Sequence, residues 1–413
     1  MHVEAWLPRA AAARPDHPAI NAITYAQLLV RARRVAAGLR DAGVASGSRV
    51  GLALPPSEDF AVALHGCLLH GAVIVPLDLR QPGAHDVDHL VTALPDGEPS
   101  VEERERHDLD GPAIVVHTSG TTSAPKPVVL SYGNWLWSAL GSAVALGHPP
   151  DERWLCALPL THVGGLSILL RSAIAGTTVL LHEKWDTGRV LDALDDATIV
   201  SLVPTTLRRL LDAGLREPRR LRWALLGGAP IPPALLDRAR EAGVAVAPTY
   251  GLTEACSQVA TDGVPLFCTD VTIAPDGEIV VRSPTLAPQT GGTLHTGDLG
   301  AWSNDGRLRI TGRKADTIVT GGENVAPAEV EAVLEAHPAV AEAAVHGRPD
   351  EEWGEAVVAI VVPTDGHTVN PEELRAHAAQ ALAPYKVPKA FTLRTDPLPR
   401  TGSGKLLRRE LLA

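Results

Sequence analysis

The stretch HTSGTTSAPKPVVL, residues 117–130, gathers the hydroxyls of Thr118, Ser119, Thr121 and Thr122 around Gly120 and carries a single lysine, Lys126. It continues from AIVVH (113–117), a β-rich run. Small residues at a strand end present backbone amides and hydroxyls to phosphate oxygens, and a nearby ammonium supplies a mobile counter-charge. The Walker pattern G-x-x-x-x-G-K-[ST] does not fit. No second glycine stands beside Lys126, and Pro127 takes the place of the magnesium-binding hydroxyl. Taken alone, the stretch reads either as a phosphate loop of another kind or as a polar turn.

A phosphate loop needs strands to hold it. TYAQLLVRARRVAAGLRDAG (24–43) carries Leu28, Leu29, Ala32, Val35, Ala36 and Leu39 on a helical stripe, with Thr24 as cap and Gly43 as stop. RVGLAL (49–54), an apolar helix from Ser57 to His70 and VIVP (73–76) follow. The alternation continues through RWLCAL (153–158), TVLL (178–181), TIVSLV (198–203) and RWALL (222–226). This is the pattern of parallel strands joined by helices, with binding loops at strand ends. Beyond Pro265 short β pieces with Asp-Gly turns, APDGEIVV and NDGRLRI, predict hairpins. From near Arg313 a compact block alternates β and α, with helices at 328–336 and 371–382. The expected fold is α/β. Residues 1–312 form a large N-terminal domain of layered α/β subdomains with a β-rich subdomain, and residues 313–413 a small mobile α+β C-terminal domain. The polar, acidic stretch between Arg80 and Gly111 reads as a surface connection.

A formal net charge of -11 removes the bulk basic footprint of a nucleic-acid binder and disfavours attraction to acidic membranes. The N-terminus shows no basic start followed by an apolar core, so neither a secretory signal nor a transit peptide is expected. The apolar neighbourhood of 163–181 is interrupted by Arg171 and glycines, and reads as a buried segment, not a membrane span. Cys67, Cys156, Cys256 and Cys268 lie far apart with no C-x-x-C pair, which points to reduced thiols in a cytoplasmic protein.

After the opening loop come LPLTHVGGLSILLRSAIAG (158–176), ALLGGAPIP (224–232), PTYGLTEACSQVAT (248–261), LHTGDLGAW (294–302), GRKADTIVTGGENVAPAEVEAVL (312–334) and PLPRTGSGKLLRREL (397–411). In this order they resemble the signature blocks of the adenylate-forming acyl-CoA synthetase family, from about Thr24 to the end of the chain. Singly, a TGD aspartate is usually a turn residue and a C-terminal lysine is usually solvated.

The resemblance implies ATP, Mg²⁺ and coenzyme A as reactants and cofactor. A carboxylate is activated to an acyl adenylate and then passed to the thiol of coenzyme A. Because a carboxylate attacking a phosphate meets like charge, catalysis would rest on positioning and neutralisation. The resemblance implies that Thr118, Ser119, Gly120, Thr121, Thr122 and Lys126 hold the β- and γ-phosphates. Glu254 would bind Mg²⁺ and Thr253 the α-phosphate. Gly227, Gly228, Ala229, Thr249 and Tyr250, with Gly251 and Leu252, would wall the adenine and acyl pockets. Asp298, with Arg313 beside it, would take the ribose, and Lys405 would bridge carboxylate and α-phosphate. His162 would border the acyl pocket, though a lone histidine beside an apolar run is more often a core residue. Domain rotation about Lys314 and Ala315 would bring Gly321 and Gly322 to the pantetheine tunnel. The family pattern has glycine where Ser123 stands, and many members have Asp or Lys at the hinge where Ala315 stands.

Within the family, HVGGLSILLRS, VSLVPTTLRRLLD, YGLTEACSQVAT and TGGENVAPAEVE are especially similar to ligases that act on o-succinylbenzoate in menaquinone biosynthesis. That acid carries a second carboxylate, which needs donors or a cation inside an apolar pocket. Arg171 is the natural candidate, helped by Ser257 or Gln258; the alternative is a surface arginine lying along an amphipathic helix. An aryl or medium-chain fatty acid ligase, or a degenerate member that binds without turnover, stays open at this point. Partners are small molecules, with no nucleic acid and no integral membrane segment; a homodimer is left open.

Overall fold

The computed structural model describes residues 1–80, 86–99, 105–118, 126–364, 366–400 and 406–411. The helix Tyr25–Asp41 starts at Thr24, whose hydroxyl accepts from the Gln27 amide while the Gln27 side chain accepts from the Thr24 amide. This reciprocal cap satisfies two orphan donors of the first turn. Its apolar stripe packs on the helix Glu58–His70, itself capped by Ser57.

The second of these helices lies against a five-stranded sheet ordered 89–91, 49–52, 73–76, 112–118, 126–131. Its first four strands pair in parallel, and the last returns antiparallel. A nine-stranded sheet runs 264–265, 257–261, 246–252, 223–226, 199–202, 153–156, 178–181, 18–20, 23–24. Its centre, from 246–252 to 178–181, is parallel, so ligand-facing loops gather at one set of strand ends. The apolar run beginning at Val163 forms the helix Val163–Ala175, largely buried against the nine-stranded sheet. Among the described residues no helix is long and apolar enough to cross a membrane.

A four-stranded antiparallel sheet follows, ordered 270–273, 278–282, 294–302, 308–313. The Asp-Gly pairs sit at its turns, where Gly277 (φ 85°) and Gly306 (φ 76°) adopt the left-handed backbone that glycine takes without strain. Beyond it, strands 318–320, 323–325, 340–350, 354–363 and 390–393 form a last sheet, packed by the helices Pro327–Glu335 and Pro371–Ala381. The main apolar cluster here, from Ile318 to Leu382, contains no residue of the preceding sheets.

The stretch 80–111 departs from expectation. Within its described parts, His89–Val91 forms an edge strand on 49–52, and Arg106–Asp108 pairs antiparallel with His2–Glu4 at the other end of the chain. Strands of three residues have too few positions to show an alternating pattern. All four cysteines are free, and Cys67, Cys156 and Cys256 are buried.

Candidate active site

The site is built on the ends of three adjacent strands. Strand Trp223–Leu226 runs into Gly227, Gly228 and Ala229. A Cβ on Gly227 would lie 2.7 Å from the Thr249 methyl and 2.8 Å from the Thr249 carbonyl, so only glycine lets the two strand ends approach. The neighbouring strand Val246–Leu252 brings Thr249, Tyr250, Gly251 and Leu252 to the same end. It then turns through Thr253–Ala255 and returns as Ser257–Thr261.

Tyr250 reaches across to the four-stranded sheet. Its hydroxyl donates to Asp298 Oδ2 at 2.7 Å, while Arg313 Nε lies 2.7 Å from Asp298 Oδ1. Asp298 and Arg313 are register partners on adjacent strands, which explains their pairing. Asp298 is 5% exposed, so a full carboxylate charge is held at the seam by a phenol and a guanidinium. Burial, then the Asp298 charge, push the Tyr250 phenol pKa upward, so it stays a donor.

Glu254 opens the short turn Thr253–Ala255, and its main-chain oxygen accepts from the Ala287 amide at 2.8 Å. Its carboxylate is partly exposed and makes no hydrogen bond or ion pair with the described residues. Among those residues no cluster of three or more acidic, histidine or cysteine side chains is able to hold a metal. Thr118 and Lys126 face each other as the last register pair below the opening loop, with the Thr118 hydroxyl donating to the Lys126 carbonyl at 3.3 Å. Ser119, Gly120, Thr121 and Thr122, like Ser123 and Lys405, lie outside the described residues.

His162 stands, partly exposed, at the position just before the helix Val163–Ala175 and makes no side-chain capping bond there. Burial lowers its pKa, with the Asp78 charge opposing and Arg80 adding to the shift, so neutral imidazole prevails at neutral pH. On the same helix Arg171 is 5% exposed, which excludes a surface arginine. Its Nη2 donates to Ser138 Oγ at 3.0 Å, and Ser138 in turn donates to the Cys256 carbonyl at 2.7 Å. The guanidinium lies 5.7 Å from the Trp154 ring centre, and its Nε has no partner among the described residues. Burial pulls its pKa down to about 10. Beside this network the chain turns through Cys256 (φ 52°) and Ser257 (φ 95°), positive values that cost a non-glycine residue about 1 to 2 kcal/mol each. Gln258 is buried and donates to Thr261 Oγ1 at 2.8 Å, while its own Oε1 has no partner among the described residues.

Lys314 binds Asp276 at 2.6 Å and Glu278 at 3.3 Å, with Ala315 exposed in the same turn. Gly321 (φ 60°) accommodates the Trp353 ring, which a Cβ would meet at 2.9 Å, whereas Gly322 (φ 84°) faces open space. The segment bearing Lys405 has both stems pinned. Arg400 forms a bridge with Leu406 and an ion pair with Glu342 at 2.7 Å. Arg408 binds Glu331 Oε2 at 2.9 Å and the Val345 carbonyl at 2.9 Å.

Sequence reasoning missed Ser138 and Trp154 as neighbours of Arg171, and the Tyr250–Asp298 contact. None carries a local signal, because each joins residues brought together only by the fold.

The AMP-binding enzyme family matches residues 7–93 and 85–289, and the AMP-binding enzyme C-terminal domain matches 329–405. The 2-succinylbenzoate--CoA ligase of Bacillus licheniformis is 37% identical over 474 aligned residues, covering 98% of each chain. That alignment is longer than the 413 residues here, so the relative carries segments that this chain lacks. The o-succinylbenzoate CoA synthetase of Bacillus subtilis in complex with the acyl-adenylate intermediate OSB-AMP superposes with a TM-score of 0.92, at 34% identity, over 100% of this chain and 99% of that one. A double mutant of the same Bacillus subtilis enzyme, bound with its product analogue OSB-NCoA, gives 0.73 at 34% identity, over 100% and 98%. This chain belongs to the AMP-binding enzyme family.

Proposed function

We propose that the protein activates 2-succinylbenzoate with ATP and transfers it to coenzyme A, an ATP-dependent, AMP-forming acid–thiol ligation. In the first step a substrate carboxylate oxygen bonds to the α-phosphorus as the bond to the β-phosphate breaks, releasing pyrophosphate. In the second, the coenzyme A sulfur bonds to the acyl carbonyl and AMP leaves, the thiol proton being lost to solvent or a base. The single observation that carries the reading is the convergence of Tyr250, Asp298 and Arg313 at the strand-end seam, in a chain alignable over nearly its full length with 2-succinylbenzoate ligases. The runner-up monoacid ligases have no use for the buried Arg171 cation, which favours the diacid.

In this reading Asp298 accepts from the ribose hydroxyls with Arg313 beside it, while Gly227, Gly228, Ala229, Thr249, Tyr250, Gly251 and Leu252 wall the adenine and acyl pockets. Thr118 to Thr122 with Lys126 hold the β- and γ-phosphates, and Thr253 touches the α-phosphate. The residues present fit Mg²⁺ held by one carboxylate plus phosphate and water oxygens, since Glu254 is free toward the described residues and no multi-carboxylate cage stands beside it. Bound there, the ion would neutralise charge on the phosphates. Arg171, with Ser257 and Gln258 near it, receives the second carboxylate, and neutral His162 borders the reacting end.

We place the domain boundary between residues 312 and 313. The small domain delivers Lys405 to the α-phosphate, then turns about Lys314 and Ala315 so that Gly321 and Gly322 line the thiol's path. A cytoplasmic location accords with substrates of this kind.

Exchange of labelled pyrophosphate into ATP tests the reading: 2-succinylbenzoate should drive it. Exchange only with benzoate or fatty acids, or none at all, overturns it. Lys405→Ala should abolish exchange while retaining thioester formation from supplied adenylate, and equal loss of both steps would refute the assigned rotation.

A further inference from the structure

Arg208 lies on the helix Pro204–Asp212, which follows the strand Ile199–Leu202 of the nine-stranded sheet. Its side chain crosses to the C-terminal part of the chain, where Nη1 donates to the Ala341 carbonyl at 2.8 Å. The same face of the small domain carries Glu335, which accepts from the Ala343 amide at 3.2 Å. Burial raises the Glu335 pKa, and the charges of Arg208 and Arg400 oppose that rise, so Arg208 stands within electrostatic reach of it. One guanidinium of the large domain thus holds a main-chain oxygen and faces an acid of the small domain.

We propose that Arg208 is a positioning residue for adenylation, whose hydrogen bond to the Ala341 carbonyl holds the C-terminal domain in the orientation that serves acyl-adenylate formation and breaks before the thiol step. The inference rests on the proposed two-step reaction with rotation about Lys314 and Ala315. Arg208 precedes that pivot by about a hundred residues of chain and Ala341 follows it, so the bond joins two bodies that rotation separates. Lys314 is the other candidate for such a latch. It sits at the pivot itself, directly after the strand Leu308–Arg313 of the four-stranded sheet, and its partners Asp276 and Glu278 lie at that same sheet, so its ion pairs survive the turn. The arrangement seen here superposes at 0.92 on the acyl-adenylate complex of the Bacillus subtilis enzyme and at 0.73 on its product-analogue complex, a difference between those two structures.

The bond biases an equilibrium between two orientations, so its loss should act unequally on the two half-reactions. Arg208→Ala and Arg208→Lys are compared with the unaltered enzyme in pyrophosphate exchange and in thioester formation from supplied 2-succinylbenzoyl adenylate. Arg208 is only partly buried, and the lysine variant keeps charge and most of the stem in case the alanine variant folds poorly. The expected result is exchange about three- to tenfold slower in Arg208→Ala, the scale of one partly exposed hydrogen bond. Thioester formation should be unchanged or faster, and Arg208→Lys should recover part of the exchange. Equal slowing of both half-reactions, or unaltered exchange, overturns the proposal. If the unaltered enzyme performs neither half-reaction, it is the proposed function that fails.

Discussion

Arg171→Met separates what the buried cation costs the free protein from what it does for the substrate. Burial holds the guanidinium pKa near 10, about two units below the usual arginine range. At about 1.4 kcal/mol per pH unit, roughly 3 kcal/mol stands against the charged form in the folded protein. Two contacts offset part of this: the bond to Ser138, about 1 kcal/mol, and the approach to the Trp154 ring, about 0.5 to 1 kcal/mol. Ser138 keeps its own bond to the Cys256 carbonyl, so the substitution leaves no stranded hydroxyl proton. The balance predicts that Arg171→Met stabilises the ligand-free protein by about 1 kcal/mol, as replacing a buried charge by an apolar side chain of similar length often does. Because the arginine is charged in both folded and unfolded protein at pH 7, and its destabilisation lifts only as pH rises past about 10, the comparison belongs at neutral pH. Binding should move the other way. Losing a buried charge-assisted contact to the second carboxylate, about 2 to 3 kcal/mol, should raise KM for 2-succinylbenzoate roughly 30- to 150-fold. Urea unfolding and initial-rate kinetics supply both numbers. A variant less stable by 1 kcal/mol or more, with KM unchanged, would refute the argument, since Arg171 would then be a structural tie and nothing else.

Two further outcomes are expected. Asp298→Asn removes the charge that Tyr250 and Arg313 face, and should raise KM for ATP about ten- to a hundredfold; because Arg313 is 45% exposed, stability should fall by no more than about 1 kcal/mol, and an unaltered KM for ATP would sink the ribose assignment. His65 is 2% exposed, and burial pushes its pKa down to about 4, so the unfolded chain takes up a proton below about 6.5 that the folded chain refuses until pH 4. Its contribution to stability is therefore lost as pH falls through that window, by up to about 3 kcal/mol; unfolding measured from pH 7 to pH 4 should show a shallower decline in His65→Leu, and parallel curves would contradict the assignment.

What the sequence made legible was local in its physics. The helix from Thr24 carries its cap, stripe and stop within twenty positions, and the Asp-Gly turns state their own backbone geometry. The strand–helix alternation placed the opening loop at a strand end, and strand Pro112–Thr118 ends there. Resemblance identified the family and set Arg313 beside Asp298, without bringing Tyr250 to them. Unreadable were features made by distant pairing: Arg106–Asp108 becomes a strand only because His2–Glu4 lies beside it. Arg171 carried equal signs of surface and interior until Ser138 and Cys256 closed over it. Arg208 is one of two adjacent arginines on a short helix, and nothing in PTTLRRLLD distinguishes the one that crosses to Ala341.

The contact between Tyr250 and Asp298 joins a strand of the nine-stranded sheet to a strand of the four-stranded sheet, and so lies where two bodies of the large domain meet. On the proposed ribose assignment, a nucleotide seated there would touch both, and act as a rivet as much as a reactant. Binding of this kind adds about 2.7 kcal/mol of stability at a hundred times the dissociation constant. Depletion of cellular ATP would then loosen the seam as well as stop the reaction, and expose the chain to proteases.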